Sequence, residues 1–141
     1  MSTRVNRNYE TLIEFKDEEM GIYKSYKWFN ELQPGTLAVT QYFGIRKNKG
    51  TPSEYLEVFH ADIIFNYRDF NFSSDPNDVL FYDLPSVLLH EVGHILGLLH
   101  EKNGTTLSVM QPYLSPTDVQ RTLFSEDELK QIGRASCRER V

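Results

Sequence analysis

The sequence predicts one α+β domain. Three observations lead there. Its 141 residues suffice for one domain and are too few for two of ordinary size. Short runs rich in β-branched and aromatic residues are separated by polar stretches carrying Gly and Pro. One longer segment, from Asp83 to Leu96, places apolar residues at helical spacing. At 40% hydrophobic and 25% charged, the chain has the composition of a globular protein able to bury a core.

In chain order, residues 11–15 (TLIEF) are short and apolar enough for a strand, bounded by the charged run 16–19. Residues 23–32 carry Tyr23, Tyr26, Trp28 and Phe29, whose spacing suits either a short helix or an irregular aromatic cover. Pro34-Gly35 marks a turn, and residues 36–44 read as the next strand. Residues 46–52 form a polar loop, and Ile63, Ile64 and Phe65 place another strand within 58–67. Residues 71–78 are again a polar loop. Asp83 is a favoured N-cap, and Pro85 fits the first helical turn, where a missing N–H costs little. At 100° per residue, Leu88, Leu89, Val92, Ile95 and Leu96 share one broad face, with His90 and His94 on the opposite side.

Several function classes are excluded or disfavoured. The net charge of −5 argues against a nucleic-acid partner, which requires a basic face. No apolar run approaches the roughly 18–20 residues of a membrane span. The opening residues show no apolar core of a signal peptide. A lone cysteine, Cys137, excludes an internal disulfide framework and a cysteine-rich metal cluster.

The chemistry concentrates in residues 90–100. Positions i and i+4 lie on one helical face, so His90 and His94 can reach a single ion. Gly97 can take the left-handed conformation that ends a helix, letting the chain turn and return His100 as a third ligand. Three protein ligands leave one position for water, the arrangement of a catalytic rather than a closed structural zinc. Imidazole ligands suit zinc, and copper, nickel and iron as well. Glu91, rotated about 100° from His90, flanks the ion without ligating it and is placed to take a proton from the bound water. The pattern HExxHxxGxxH fixes five positions and arises by chance in roughly one chain in 10⁵–10⁶ at ordinary residue frequencies. Three of the four histidines fall inside it, which packing alone does not explain. His60, the fourth, reads as an ordinary strand-end histidine.

This motif resembles that of the metzincin zinc peptidases. Ser108-Val109-Met110, ten residues after His100, is similar to their methionine turn, and the short interval resembles matrixins, closest to the short bacterial type. Residues 61–65, 83–90, 110–112 and 124–131 are similar to further matrixin segments. The resemblance spans about residues 36–131 and implies a zincin-like fold. In it, a twisted mixed sheet stands above the cleft, the zinc helix lies behind, and a small C-terminal subdomain carries the Met-turn. It implies an endopeptidase with one catalytic zinc on His90, His94 and His100, with Glu91 as general base. Gly97 and Met110 would support the site, Met110 as a packed floor and not as a ligand. Ser86, Pro112 and Tyr113 would line the substrate pocket, Ser86 leaving it deep enough for Leu, Met or aromatic side chains. Peptide or protein is then the substrate, the protein a monomer, and the location outside the cell or at its envelope. The alternatives are a peptide-binding module that keeps the fold without cleaving, and a zinc hydrolase acting on something other than peptides.

The chain also departs from the family pattern. Glu101 stands where animal matrixins usually carry Ser. No histidine lies between Asn66 and Asp83, so a second, structural zinc is not expected, while Asp75 and Asp78 leave a calcium site open. Latency through the thiolate of a prodomain is not expected. The expected organisation is a catalytic domain over residues 1–131, truncated at both ends, with an upper part to about 97 and a lower part over 98–131. Residues 125–128 (SEDE) form a capping box that opens a closing helix. Residues 132–141 resemble a translated sequencing adapter and are expected to be an artefactual tail. The missing front helix is expected to leave the sheet's apolar face uncovered.

Overall fold

The strand Tyr55–Asn66 (β4) organises the molecule, and all seven residues from His60 to Asn66 are buried. A strand buried without a break must be covered on both faces. The structure, a computed structural model, describes residues 2–3, 9–100, 108–116 and 118–119. Four strands form its main twisted sheet: β1 (Ser2–Thr3), β2 (Gly21–Ser25), β3 (Ala38–Lys47) and β4, in the order β1-β2-β4-β3. β1 pairs with β2 and β2 with β4 in parallel, whereas β3 runs antiparallel to β4. The sheet is therefore mixed, and among the described residues β3 lies at one of its edges. A two-residue parallel pair, β5 (Phe72–Ser73) with β6 (Tyr82–Asp83), leads into the helix α1 (Leu84–Ile95).

One face of the sheet receives α1. Ala38, Ile63 and Phe65 pack with Val87, joined by Leu84, Leu88, Val92 and Ile95 of the helix. Leu89 points elsewhere, against Leu98, Val109 and Met110, and Leu96 is 39% exposed. The broad apolar face expected of the helix is thus divided. Most of it seats on the sheet, Leu89 reaches the segment beyond the histidines, and Leu96 faces solvent.

The opposite face carries Tyr23 and Ile64, both 0% exposed, beneath Phe15, Trp28 and Phe29. This overturns the expectation of an uncovered apolar sheet around these residues. The aromatic side chains of residues 15–29 supply the cover. It also decides residues 23–32, where Tyr23 belongs to β2 and Trp28 and Phe29 to an irregular aromatic lid.

Residues 11–15 are not a strand. Leu12–Phe15 is a 3₁₀ helix, opened by Thr11 and closed on the Glu14 carboxylate, which accepts from the backbone N–H of Glu10 at 2.7 Å and of Thr11 at 3.3 Å. The Thr-x-x-Glu spacing is a helix-start signal that outweighs the short apolar character of the segment. His60 is not at a strand end either. It sits inside β4, beside a bulge where Phe43 pairs with His60 but Gly44 pairs with Val58. A Cβ on Gly44 would meet the Leu56 Cγ at 2.7 Å and the Glu57 carbonyl oxygen at 2.8 Å, so only glycine fits.

Buried polar groups on β4 are paired. Asp62, 0% exposed, accepts from the Gly21 N–H at 3.0 Å and from His60 Nε2 at 2.6 Å, and the same nitrogen lies 3.0 Å from the Phe15 carbonyl oxygen. Burial pushes the Asp62 carboxyl up, against the lowering pull of the His60 and Gly21 hydrogen bonds. These bonds tie β4 to β2 and to the 3₁₀ helix. The proposed closing helix, its capping box, Glu101, Cys137 and the 132–141 tail lie outside the described residues.

Candidate metal centre

The helix carrying the histidines is set at both ends by local chemistry. At its start, Asp83 Oδ2 accepts from the Ser86 N–H at 3.2 Å and from the Ser86 hydroxyl at 2.6 Å, and Pro85 occupies the first turn. At its end, Gly97 takes φ 91°, the Gly97 N–H donates to the His94 carbonyl at 3.0 Å, and the Leu98 N–H donates to the Gly93 carbonyl at 2.9 Å. This crossed pair of bonds is a Schellman ending. It reverses the chain and buries Leu98 at 1% exposure, which brings His100 back towards the helix.

The three imidazoles converge. His90 Nε2 lies 3.1 Å from His94 Nε2 and 3.2 Å from His100 Nε2. One ligand atom from each falls within 4.8 Å of the others, and this is the only such group of His, Cys, Asp and Glu among the described residues. Asp75 and Asp78 belong to no such group there. The carbonyls behind the rings set their tautomers. His90 Nδ1 faces the Val109 carbonyl oxygen at 2.7 Å, and His94 Nδ1 faces the Leu98 carbonyl oxygen at 2.9 Å. A carbonyl only accepts, so each Nδ1 carries the proton and each Nε2 keeps its lone pair facing inward. Facing lone pairs repel unless a cation lies between them. Tetrahedral zinc with Zn–N near 2.0–2.1 Å would separate its nitrogens by about 3.3–3.4 Å, close to the two separations from His90, 3.1 and 3.2 Å.

Electrostatics favour neutral rings. Burial is the main cause that lowers His90 to about 4, with charge on His94 and His100 adding to it and the Val109 bond opposing. Burial likewise lowers His100, helped by His94. Rings that resist protonation near neutrality keep their lone pairs available to a metal.

Glu91, 6% exposed, turns towards β3. The Thr40 hydroxyl lies 2.6 Å from its Oε2 and 3.1 Å from its main-chain oxygen. Burial raises the Glu91 carboxyl, against the lowering effects of the Thr40 bond and of His94.

Next to His90, whose Nδ1 meets the Val109 carbonyl, Ser108–Gln111 form a turn closed by the Gln111 N–H on the Ser108 carbonyl at 3.3 Å. The Met110 N–H donates to the Ser108 hydroxyl at 3.0 Å, and Met110 is 0% exposed against Leu98 and Val109. The site opens into a cleft of about 670 Å³ between the 33–40 segment, α1 and the 108–118 segment. Ser86, Pro112 and Tyr113 all line it. Ser86 is buried and bonded to Asp83, whereas Tyr113 is 87% exposed. Sequence reasoning missed Thr40 and the carbonyls of Val109 and Leu98. No sequence signal marks a backbone carbonyl, and Thr40 is one hydroxyl within a strand.

The matrixin family model matches residues 15–135, most of the chain. This protein belongs to the matrixin family. Matrixins are zinc metallopeptidases, and the three-histidine group is compatible with that chemistry. No curated protein and no solved structure matches the chain. Matrixins are typically secreted proteins, and no helix among the described residues is long and apolar enough to cross a membrane.

Proposed function

We propose that this matrixin is a zinc-dependent endopeptidase holding one catalytic ion on the Nε2 atoms of His90, His94 and His100, with Glu91 as general base. The observation that carries this reading is the convergence of three imidazole nitrogens, with the tautomers of His90 and His94 set by backbone carbonyls, beside a buried carboxylate. A bound zinc would polarise the scissile carbonyl and acidify the attacking water. Glu91 then takes the water's proton and hands it to the departing amine, and a desolvated carboxylate with a raised pKa is suited to both transfers. No covalent bond to the protein forms. Val109 and Leu98 hold the histidine rings through their carbonyls, Gly97 makes the return of His100 possible, and Met110 is the apolar floor of the turn.

A peptide substrate is supported by the edge strand. The Leu37 carbonyl accepts from the Asn66 N–H, so by alternation the main-chain groups of Ala38 and Thr40 point away from β4 towards the cleft. An extended peptide can add there as a further strand. Beside it, Ser86, Pro112 and Tyr113 line the pocket for the side chain after the scissile bond, and the small Ser86 favours Leu, Met or aromatic groups. Cleavage profiling on a peptide library tests this, and a preference for Gly or Asp would refute it. We extend the family's usual location to this chain and place the enzyme outside the cell, with the lower half of its catalytic domain beginning near residue 98.

The decisive comparison is wild type against Glu91→Ala on casein and quenched peptides, with zinc content measured in both. Retained zinc with lost cleavage supports the general base. Cleavage unchanged by the substitution would sink it, and a folded, zinc-loaded wild type that cleaves nothing would mark a binding protein.

A further inference from the structure

We propose that Thr40 is a positioning residue for the Glu91 carboxylate, aiming the general base from the strand along which the substrate would lie. This rests on the reading of Glu91 given above. Thr40 stands on β3 opposite Ile63, with its side chain on the face that receives α1. Its hydroxyl has one proton and two candidate acceptors, Glu91 Oε2 at 2.6 Å and the Glu91 main-chain oxygen at 3.1 Å. The shorter contact, to a carboxylate, is the stronger.

The consequence is geometric. A glutamate side chain has several rotors and loses considerable freedom when fixed. Among the described residues, Thr40 is the only side chain that bonds this carboxylate, and it comes from a different element of the fold. With Oε2 held by the hydroxyl, Oε1 is left to receive a proton in the cleft. Thr40 also turns its main-chain polar groups towards the same cleft, by the alternation argued for β3. One residue therefore contacts the general base through its side chain and the peptide through its backbone. Seating of a substrate on β3 and the aim of Glu91 become mechanically linked. A bond made to the proton-transferring group belongs to the chemical step more than to substrate binding, so its loss falls on kcat.

The test uses Thr40→Val, Thr40→Ala and Thr40→Ser in the full chain, with zinc content matched to wild type. Thr40→Val and Thr40→Ala should lower kcat on a quenched peptide roughly tenfold or more with KM within about twofold. Thr40→Ser, which keeps the hydroxyl, should recover to within about threefold of wild type. Loss of KM instead of kcat, or failure of serine to rescue, would overturn the proposal. A second readout needs neither zinc nor activity. In the zinc-free protein, Thr40→Val should lower the urea midpoint, and this effect should be clearly smaller in a Glu91→Leu background, where the hydroxyl keeps only the main-chain acceptor of residue 91. Additive midpoints would show that the bond is absent and sink the proposal. Coupled midpoints together with a zinc-loaded wild type that cleaves nothing would uphold the bond and sink the general-base reading instead.

Discussion

Replacing Asp83 by alanine removes the group that starts the metal-bearing helix. Its Oδ2 serves the Ser86 N–H at 3.2 Å and the Ser86 hydroxyl at 2.6 Å, with Asp83 3% and Ser86 2% exposed. Loss of an aspartate N-cap costs about 1 kcal/mol, and loss of a buried side-chain hydrogen bond about another 1 kcal/mol. Asp83→Ala should therefore lower the unfolding free energy by about 2 kcal/mol. Asp83→Asn, which keeps an acceptor at the cap, should cost well under half of that, about 0.5 kcal/mol. Ser86→Ala should cost about 1 kcal/mol, since it spares the backbone cap. Urea unfolding of the zinc-free protein at neutral pH reads all three. Zinc affinity of Asp83→Ala should fall less than about tenfold, because His90 is held from behind by Val109 and not by the first turn alone. An Asp83→Ala protein within about 0.5 kcal/mol of wild type would refute the reasoning, as would Asp83→Asn proving as damaging as alanine.

Gly97→Ala forces a side chain into the left-handed region at φ 91°, so it should cost about 1–2 kcal/mol and weaken zinc binding by displacing His100, read by unfolding and by metal titration. Asp62→Ala should cost about 2–3 kcal/mol in urea unfolding, because it leaves the Gly21 N–H without its acceptor in a buried site, while His60 retains the Phe15 carbonyl. In the zinc-free protein the unfolded chain takes up a proton on His90 near 6.5, whereas the folded ring resists until about 4. Unfolding is therefore favoured as pH falls through that window, by up to about 3 kcal/mol, and the contribution is fully present only above 6.5. The stability curve of His90→Gln should lack this fall, and parallel curves for the two proteins would contradict it.

Much of the site was legible in the sequence because it is local. His90 and His94 share a face through helical geometry alone, Asp83 and Pro85 mark the start of that helix, and Gly97 supplies the reversal that ends it. Each needs only neighbours within one or two turns. The same locality explains why the helical spacing from Asp83 to Leu96 marks α1 to within a residue of its ends. The strands were harder. β4 is visible from Ile63, Ile64 and Phe65, but over residues 11–15 a short apolar segment and a Thr-x-x-Glu cap compete within five positions, and the cap prevails.

What the chain determined by itself is the chemistry: three imidazoles, one carboxylate and the turn that gathers them. Tertiary structure decided how that chemistry is held. The Val109 carbonyl reaches His90 across 19 residues of sequence and the Thr40 hydroxyl reaches Glu91 across 51. Such contacts depend on how β3, α1 and the 108–111 turn pack together. Packing is set by the sum of many small burial terms over the whole core, which no local pattern encodes.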